Sequence, residues 1–122
     1  MYHFQRVSSY VNTESVGNVE VKIKQADYKD RHVLVVEDIY DTGKSMAEIL
    51  KTIKELGALS VKTCILLHKK NPSNLEINYW GDYLGFFIPR KFVIGYGMDY
   101  NEYFRDMQHL CSIAPSAIEK YK

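Results

Sequence analysis

Val33-Leu34-Val35-Val36-Glu37-Asp38-Ile39-Tyr40-Asp41-Thr42-Gly43-Lys44-Ser45 is the stretch whose reading decides the fold. Its opening run, Val33 to Val36, is unbroken in apolar character and rich in β-branched residues. Such a short run predicts a strand buried on both faces, as in a parallel sheet. Two acids come next, then a turn of small and hydroxyl residues. Beyond the turn, Met46, Ile49, Leu50, Ile53 and Leu56 share one helical stripe, and Gly57 stands where a helix C-cap belongs. Val61 to Leu67 then reads as a second buried strand. Strand, helix and strand in this order make one right-handed crossover unit of an α/β fold.

Open α/β sheets bind ligands in the crevice at the carboxyl ends of their strands. Free backbone N–H groups and the positive end of the helix dipole converge there on Thr42 to Ser45. With the hydroxyls of Thr42 and Ser45 added, this turn can hold a phosphate. Glu37 and Asp38 offer carboxylates for ribose hydroxyls, directly or through Mg²⁺, which prefers oxygen ligands. Phosphate at the turn and ribose at the acids describe a ribose-5-phosphate site. The Walker A loop shares Gly43-Lys44-Ser45 but needs a glycine five positions before Gly43. Asp38 stands there, which excludes the ATPase loop.

The segment Glu37 to Ser45 resembles the phosphoribosyl pyrophosphate (PRPP) motif of the type I phosphoribosyltransferases, and within them the hypoxanthine-guanine phosphoribosyltransferases. The resemblance implies a type I phosphoribosyltransferase core, a mainly parallel sheet with flanking helices. It implies that Glu37, Asp38, Asp41, Thr42, Gly43, Lys44 and Ser45 bind the 5′-phosphate and ribose. It also implies that Asp41 is the general base.

Composition narrows the remaining classes. The chain has 122 residues and a net charge of +1, enough for one modest domain with a real core. Balanced charge gives no sign of a nucleic-acid or membrane partner. No apolar run approaches transmembrane length, and Met1 to Arg6 lacks a signal-peptide pattern. Cys64 and Cys111 are isolated in apolar runs and read as reduced core residues, hence a cytoplasmic protein. The 10 tyrosines read as packing residues, with some available for a homodimer or homotetramer interface.

Tyr2 to Val7 alternates loosely, as a short strand would. Residues 8–18 are polar and hydroxyl-rich and predict a long mobile loop. Ser9 and Tyr10 match the family pair that opens a loop closing over the reaction centre, although Ser8 replaces the basic residue common before it. Val19 to Lys24 alternates with period two and predicts a half-exposed strand pairing with the segment before the loop. His68, Lys69 and Lys70 end the second buried strand. By residue type these lysines are either a solvated strand end or partners for an anion or a base carbonyl. The resemblance makes Lys69 the contact to the purine's six-position oxygen, while His68 departs from the small apolar residue usual there.

Asn74 to Trp80 reads as irregular. Asp82 to Pro89 resembles a further family segment, with Phe87 in place of an acid. Lys91 to Tyr100 predicts another strand, with glycines allowing close backbone approach. On its own Phe92 reads as core. The resemblance makes Phe92 the aromatic stacked on the purine, Val93 the backbone reader of the purine edge, Asp99 both a purine-site residue and a Mg²⁺ ligand on the pyrophosphate side, and Arg105 a pyrophosphate contact. Glu37 and Asp38 complete the implied metal ligands. The chain closes with an apolar run, Leu110 to Ala114, and a basic tail.

Taken together, the resemblance implies transfer of the phosphoribosyl group of PRPP to hypoxanthine or guanine, giving IMP or GMP and pyrophosphate, with Mg²⁺ as cofactor. It covers nearly all of residues 1–122 as a single domain. It corresponds only to the later part of the family's length, so N-terminal elements are lacking. The sheet also has just one convincing amphipathic helix to cover it. The alternative is therefore a non-catalytic, truncated PRPP- or nucleotide-binding module that associates with complete subunits.

Overall fold

The computed structural model describes residues 8–9, 19–20, 28–70 and 81–122. They fall in two compact units, Met1–Ile88 and Pro89–Lys122.

The first unit holds a two-stranded pair, a three-stranded parallel sheet and one helix among its described residues. β1 (Ser8–Ser9) pairs antiparallel with β2 (Val19–Glu20). Ser8 and Ser9 thus belong to a strand, two positions inside the predicted loop. Tyr2 to Val7, Tyr10 and the rest of that loop lie outside the described residues, as does Asn74 to Trp80. β3 (His32–Tyr40), α1 (Lys44–Glu55) and β4 (Ser60–Lys69) form the expected crossover, and β5 (Tyr83–Ile88) adds a third parallel strand in the order β3-β4-β5. Helix α1 stops where Gly57 takes a left-handed φ of 89° and its N–H donates to the Lys54 carbonyl at 3.0 Å. That conformation is cheap only for glycine.

The apolar stripe of α1 packs on one face of this sheet. Ile49 and Ile53 bury against Tyr28, Val33, Val35 and Val61, while Met46 joins Tyr40, Ile65 and Leu84. Truncating Ile53, 4% exposed, to alanine removes a buried branched chain and costs about 2–5 kcal/mol. The sheet's other face differs from expectation. Val33 and Val35 point to the helix, whereas Leu34 and Val36 are 55% and 74% exposed. The apolar run marks a strand correctly, but among the described residues only one face is covered, the one on which α1 packs.

At its entry β5 is pinned to β4. The Thr63 N–H donates to Asp82 Oδ2 at 2.8 Å, and the Asp82 N–H donates to Thr63 Oγ1 at 3.2 Å.

In the second unit, β6 (Val93–Ile94) pairs antiparallel with β7 (Cys111–Ser112). The strand predicted over residues 91–100 ends after two residues. Gly95, Tyr96 and Gly97 have φ of 86°, 55° and 92°, which turn the chain back on itself. The basic tail forms a short helix, α2 (Pro115–Lys120), with proline in its first turn, where the missing N–H costs nothing.

Candidate functional site

Strand β3 carries the first half of the site at its carboxyl end. It runs on through Glu37 and Asp38 to Tyr40, so the two acids lie within the strand and not beyond it. Adjacent strand residues point to opposite faces, so Glu37 is half-buried and Asp38 exposed. The Asp38 N–H nevertheless donates to Glu37 Oε1 at 3.2 Å. Burial, with Asp38 next to it, pushes the Glu37 carboxyl up to about 7 from 4.5.

Asp41, Thr42 and Gly43 make the bend that joins β3 to α1. Gly43 sits at the N-cap with φ 82° and ψ −8°, a left-handed geometry that lets the chain reverse directly into the helix. Its carbonyl accepts the first helical bond from the Ala47 N–H at 3.0 Å. The Lys44 N–H lies 3.5 Å from Thr42 Oγ1, and no side chain caps the helix. The amides of the first turn have no partner further along the helix and are oriented for an anion.

Parallel register brings β4's contribution alongside. Tyr40 pairs with His68, so the next residues, Asp41 and Lys69, are neighbours across the strands. Lys69 Nζ lies 3.0 Å from Asp41 Oδ2; the lysine side chain is 9% exposed and the aspartate 47%. His68 is buried with its ring stacked on Tyr40, centroids 4.7 Å apart, and with Phe87 edge-on at 5.3 Å. This aromatic row beside Lys69 escaped sequence reasoning, although the register of two adjacent strands is the signal that encodes it. Phe87, in place of the family acid, thereby serves packing inside this unit.

The second unit holds the remaining residues. Phe92 is 51% exposed, so it is not core, and meets Tyr100 edge-on at 5.6 Å. Its carbonyl accepts from the Ile113 N–H at 3.0 Å, while Val93 is half-buried in β6. Asp99 and Arg105 are paired: Arg105 Nη2 lies 3.2 Å from Asp99 Oδ1, and Arg105 Nη1 donates to the Gly97 carbonyl at 2.9 Å. Asp99 Oδ2 also accepts from the Glu102 N–H at 2.6 Å. Ser9 lies in β1, and Tyr10 is outside the described residues. Among the described residues, no group of three or more His, Cys, Asp or Glu side chains converges on a metal position.

Against known proteins, the family model for the phosphoribosyl transferase domain matches residues 3–101. The hypoxanthine-guanine phosphoribosyltransferase of Canis lupus familiaris is 45% identical over 98% of this chain, and that of Homo sapiens 43%. Each alignment takes in 55% of the relative, so the chain spans about half the length of the curated relatives it matches. Among solved structures, the crystal structure of hypoxanthine-guanine phosphoribosyltransferase from Schistosoma mansoni in complex with IMP superposes with a TM-score of 0.75. It shares 41% identity, over 83% of this chain and 49% of that one.

Proposed function

Because the chain belongs to the phosphoribosyl transferase domain family, we propose that it carries the contacts of a purine-salvage enzyme, one that converts hypoxanthine or guanine plus PRPP to IMP or GMP plus pyrophosphate. The observation that carries this reading is the Asp41–Lys69 pair at 3.0 Å beside a phosphate-ready helix start. On a 6-oxopurine, N7 and O6 lie side by side on one edge. A carboxylate and an ammonium held together match that edge. Asp41 takes the proton from N7, while Lys69 donates to O6 and favours the deprotonated base. An adenine amino group would meet the ammonium donor to donor, which selects oxo-purines.

The other residues serve binding and orientation. The turn Thr42 to Ser45, with the first amides of α1, takes the 5′-phosphate, and Glu37 and Asp38 take the ribose hydroxyls. Phe92 stacks on the purine; Val93 reads its edge through backbone groups. Ser9 and Tyr10, as the resemblance implies, would help to exclude water while the anomeric carbon becomes cationic. Arg105 takes pyrophosphate.

Glu37 and Asp38 also fit Mg²⁺. Burial, with Asp38 beside it, holds the Glu37 proton up to about 7, so a cation there would favour the charged carboxylate, and this ion takes one or two carboxylates alongside substrate oxygens. Asp99 is the corresponding ligand on the pyrophosphate side. When bound, the ion would neutralise charge on the departing pyrophosphate. The free thiols of Cys64 and Cys111 support a reducing, cytoplasmic setting, and exposed Phe86, Tyr96 and Tyr103 support a homo-oligomer.

A spectrophotometric assay with PRPP, Mg²⁺ and hypoxanthine tests the reading. Turnover is expected, and Asp41→Asn should lower kcat far more than it weakens GMP binding. Equal losses in both would contradict the base assignment. GMP binding without turnover would instead mark a nucleotide-binding module that works with complete subunits.

A further inference from the structure

In the second unit, Asp99 and Arg105 are held by a loop that ought not to be stable by itself. Asn101, Glu102 and Phe104 have φ of 48°, 70° and 75°, and none of them is glycine. Left-handed backbone at such residues persists only where the surroundings over-determine it. Part of the constraint is local: Tyr100 and Tyr103 exchange backbone N–H···O bonds of 3.1 and 2.9 Å, and Asp99 accepts from Glu102. The rest comes from the far end of the chain. Asn101 Nδ2 donates to the Tyr121 carbonyl at 2.8 Å. The Tyr121 ring lies 4.5 Å from that of Tyr103 and 5.2 Å, edge-on, from that of Phe104. Tyr121 is itself fixed to α2 through its N–H, which donates to the Ala117 carbonyl at 3.0 Å.

We propose that Tyr121 is a positioning residue, bracing the strained loop 99–105 so that Asp99 and Arg105 keep one mutual geometry. The inference rests on the reading of those two groups as the pyrophosphate side of the site. It assigns Tyr121 no contact with substrate. Three residues of one loop, two of them in left-handed backbone, converge on a single side chain and its carbonyl. A freed loop would relax toward right-handed dihedrals and carry Arg105 away from Gly97 and Asp99.

The test compares the full chain with a chain ending at Lys120, and with Tyr121→Phe, which keeps both ring and carbonyl. Amide hydrogen exchange is followed at Gly97 and Glu102, with Ile94 in β6 as reference. Titration calorimetry is run with pyrophosphate plus Mg²⁺ and, separately, with GMP. Shortening the chain should speed exchange at Gly97 and Glu102 by about tenfold and leave Ile94 unchanged. It should weaken pyrophosphate by about tenfold and GMP by less than about twofold, with Tyr121→Phe like the full chain.

Unchanged exchange at Glu102 would overturn the brace. So would an equal loss for both ligands with faster exchange at Ile94, which is what general destabilisation produces. The exchange readout requires no ligand. A full chain whose Glu102 protection depends on Tyr121 but which binds no pyrophosphate would support the brace and refute the pyrophosphate role of Asp99 and Arg105 instead.

Discussion

The Asp41–Lys69 pair should respond very unequally to removal of its two members. The charges are 3.0 Å apart, Lys69 nearly buried and Asp41 half open to water. At that distance the attraction is about 1.4 kcal/mol in a water-like dielectric and about 5–6 kcal/mol at an effective dielectric near 20. An aspartate with half its surface in solvent belongs toward the lower figure. Asp41→Asn keeps one acceptor but leaves the buried ammonium facing a neutral group, so it should cost about 1–2 kcal/mol. Lys69→Met keeps the length of the side chain, deletes the buried charge and leaves Asp41 to be hydrated. Its cost should lie within about 0.5 kcal/mol of zero, on either side. Urea unfolding followed by far-UV circular dichroism separates the two, with a midpoint about 1 M lower for Asp41→Asn alone. A greater loss for Lys69→Met than for Asp41→Asn would refute the reasoning, since the ammonium would then be a net stabiliser in its own right.

Other consequences follow from single residues. The folded chain retains the Glu37 proton up to about 7, whereas the unfolded glutamate releases it near 4.5; this group's contribution to stability is thus fullest at low pH and is lost as pH rises through that window. Urea midpoints taken across the window should carry that slope, and Glu37→Gln should flatten it. Gly85→Ala would set a Cβ 2.5 Å from the Leu66 carbonyl oxygen in the adjacent strand, so β4 and β5 must part. A loss of about 1–3 kcal/mol is expected in chemical denaturation, and a neutral result would contradict the close approach of the strands. Val36→Lys, at a position 74% exposed, should change stability by no more than about 0.5 kcal/mol. A loss several times greater in thermal unfolding would mean that another polypeptide covers this face.

What the sequence disclosed was the part governed by local rules. The β3–α1–β4 unit was legible because its apolar periods change from strand to helix at a glycine-containing turn, and Gly57 ends the helix by its freedom at positive φ. Less was legible where burial depends on remote elements. Val33 to Val36 is apolar throughout, yet only alternate residues meet α1, and no local pattern reports which neighbours lie on the second face. The strand predicted over residues 91–100 failed for a different reason. Apolar residues between Phe92 and Met98 suggested extension, but two glycines and a left-handed Tyr96 fold the segment onto itself.

The site shows the same division, with a consequence for its chemistry. Motif reading assigned a role to each of Asp41, Lys69, Asp99 and Arg105 separately, because a motif is a string of positions. Geometry couples them two by two, Asp41 with Lys69 and Asp99 with Arg105. Each of these four groups thus faces a neighbour of opposite charge. On the proposed reading a ligand need only replace that neighbour, so it would meet charges already aimed, of which Lys69 alone is largely desolvated. Exposed pairs such as Asp99–Arg105, with side chains 30% and 55% open, exchange partners at little cost. The buried Lys69 does not, so on the proposed reading a purine would enter with its N7–O6 edge facing the Asp41–Lys69 pair.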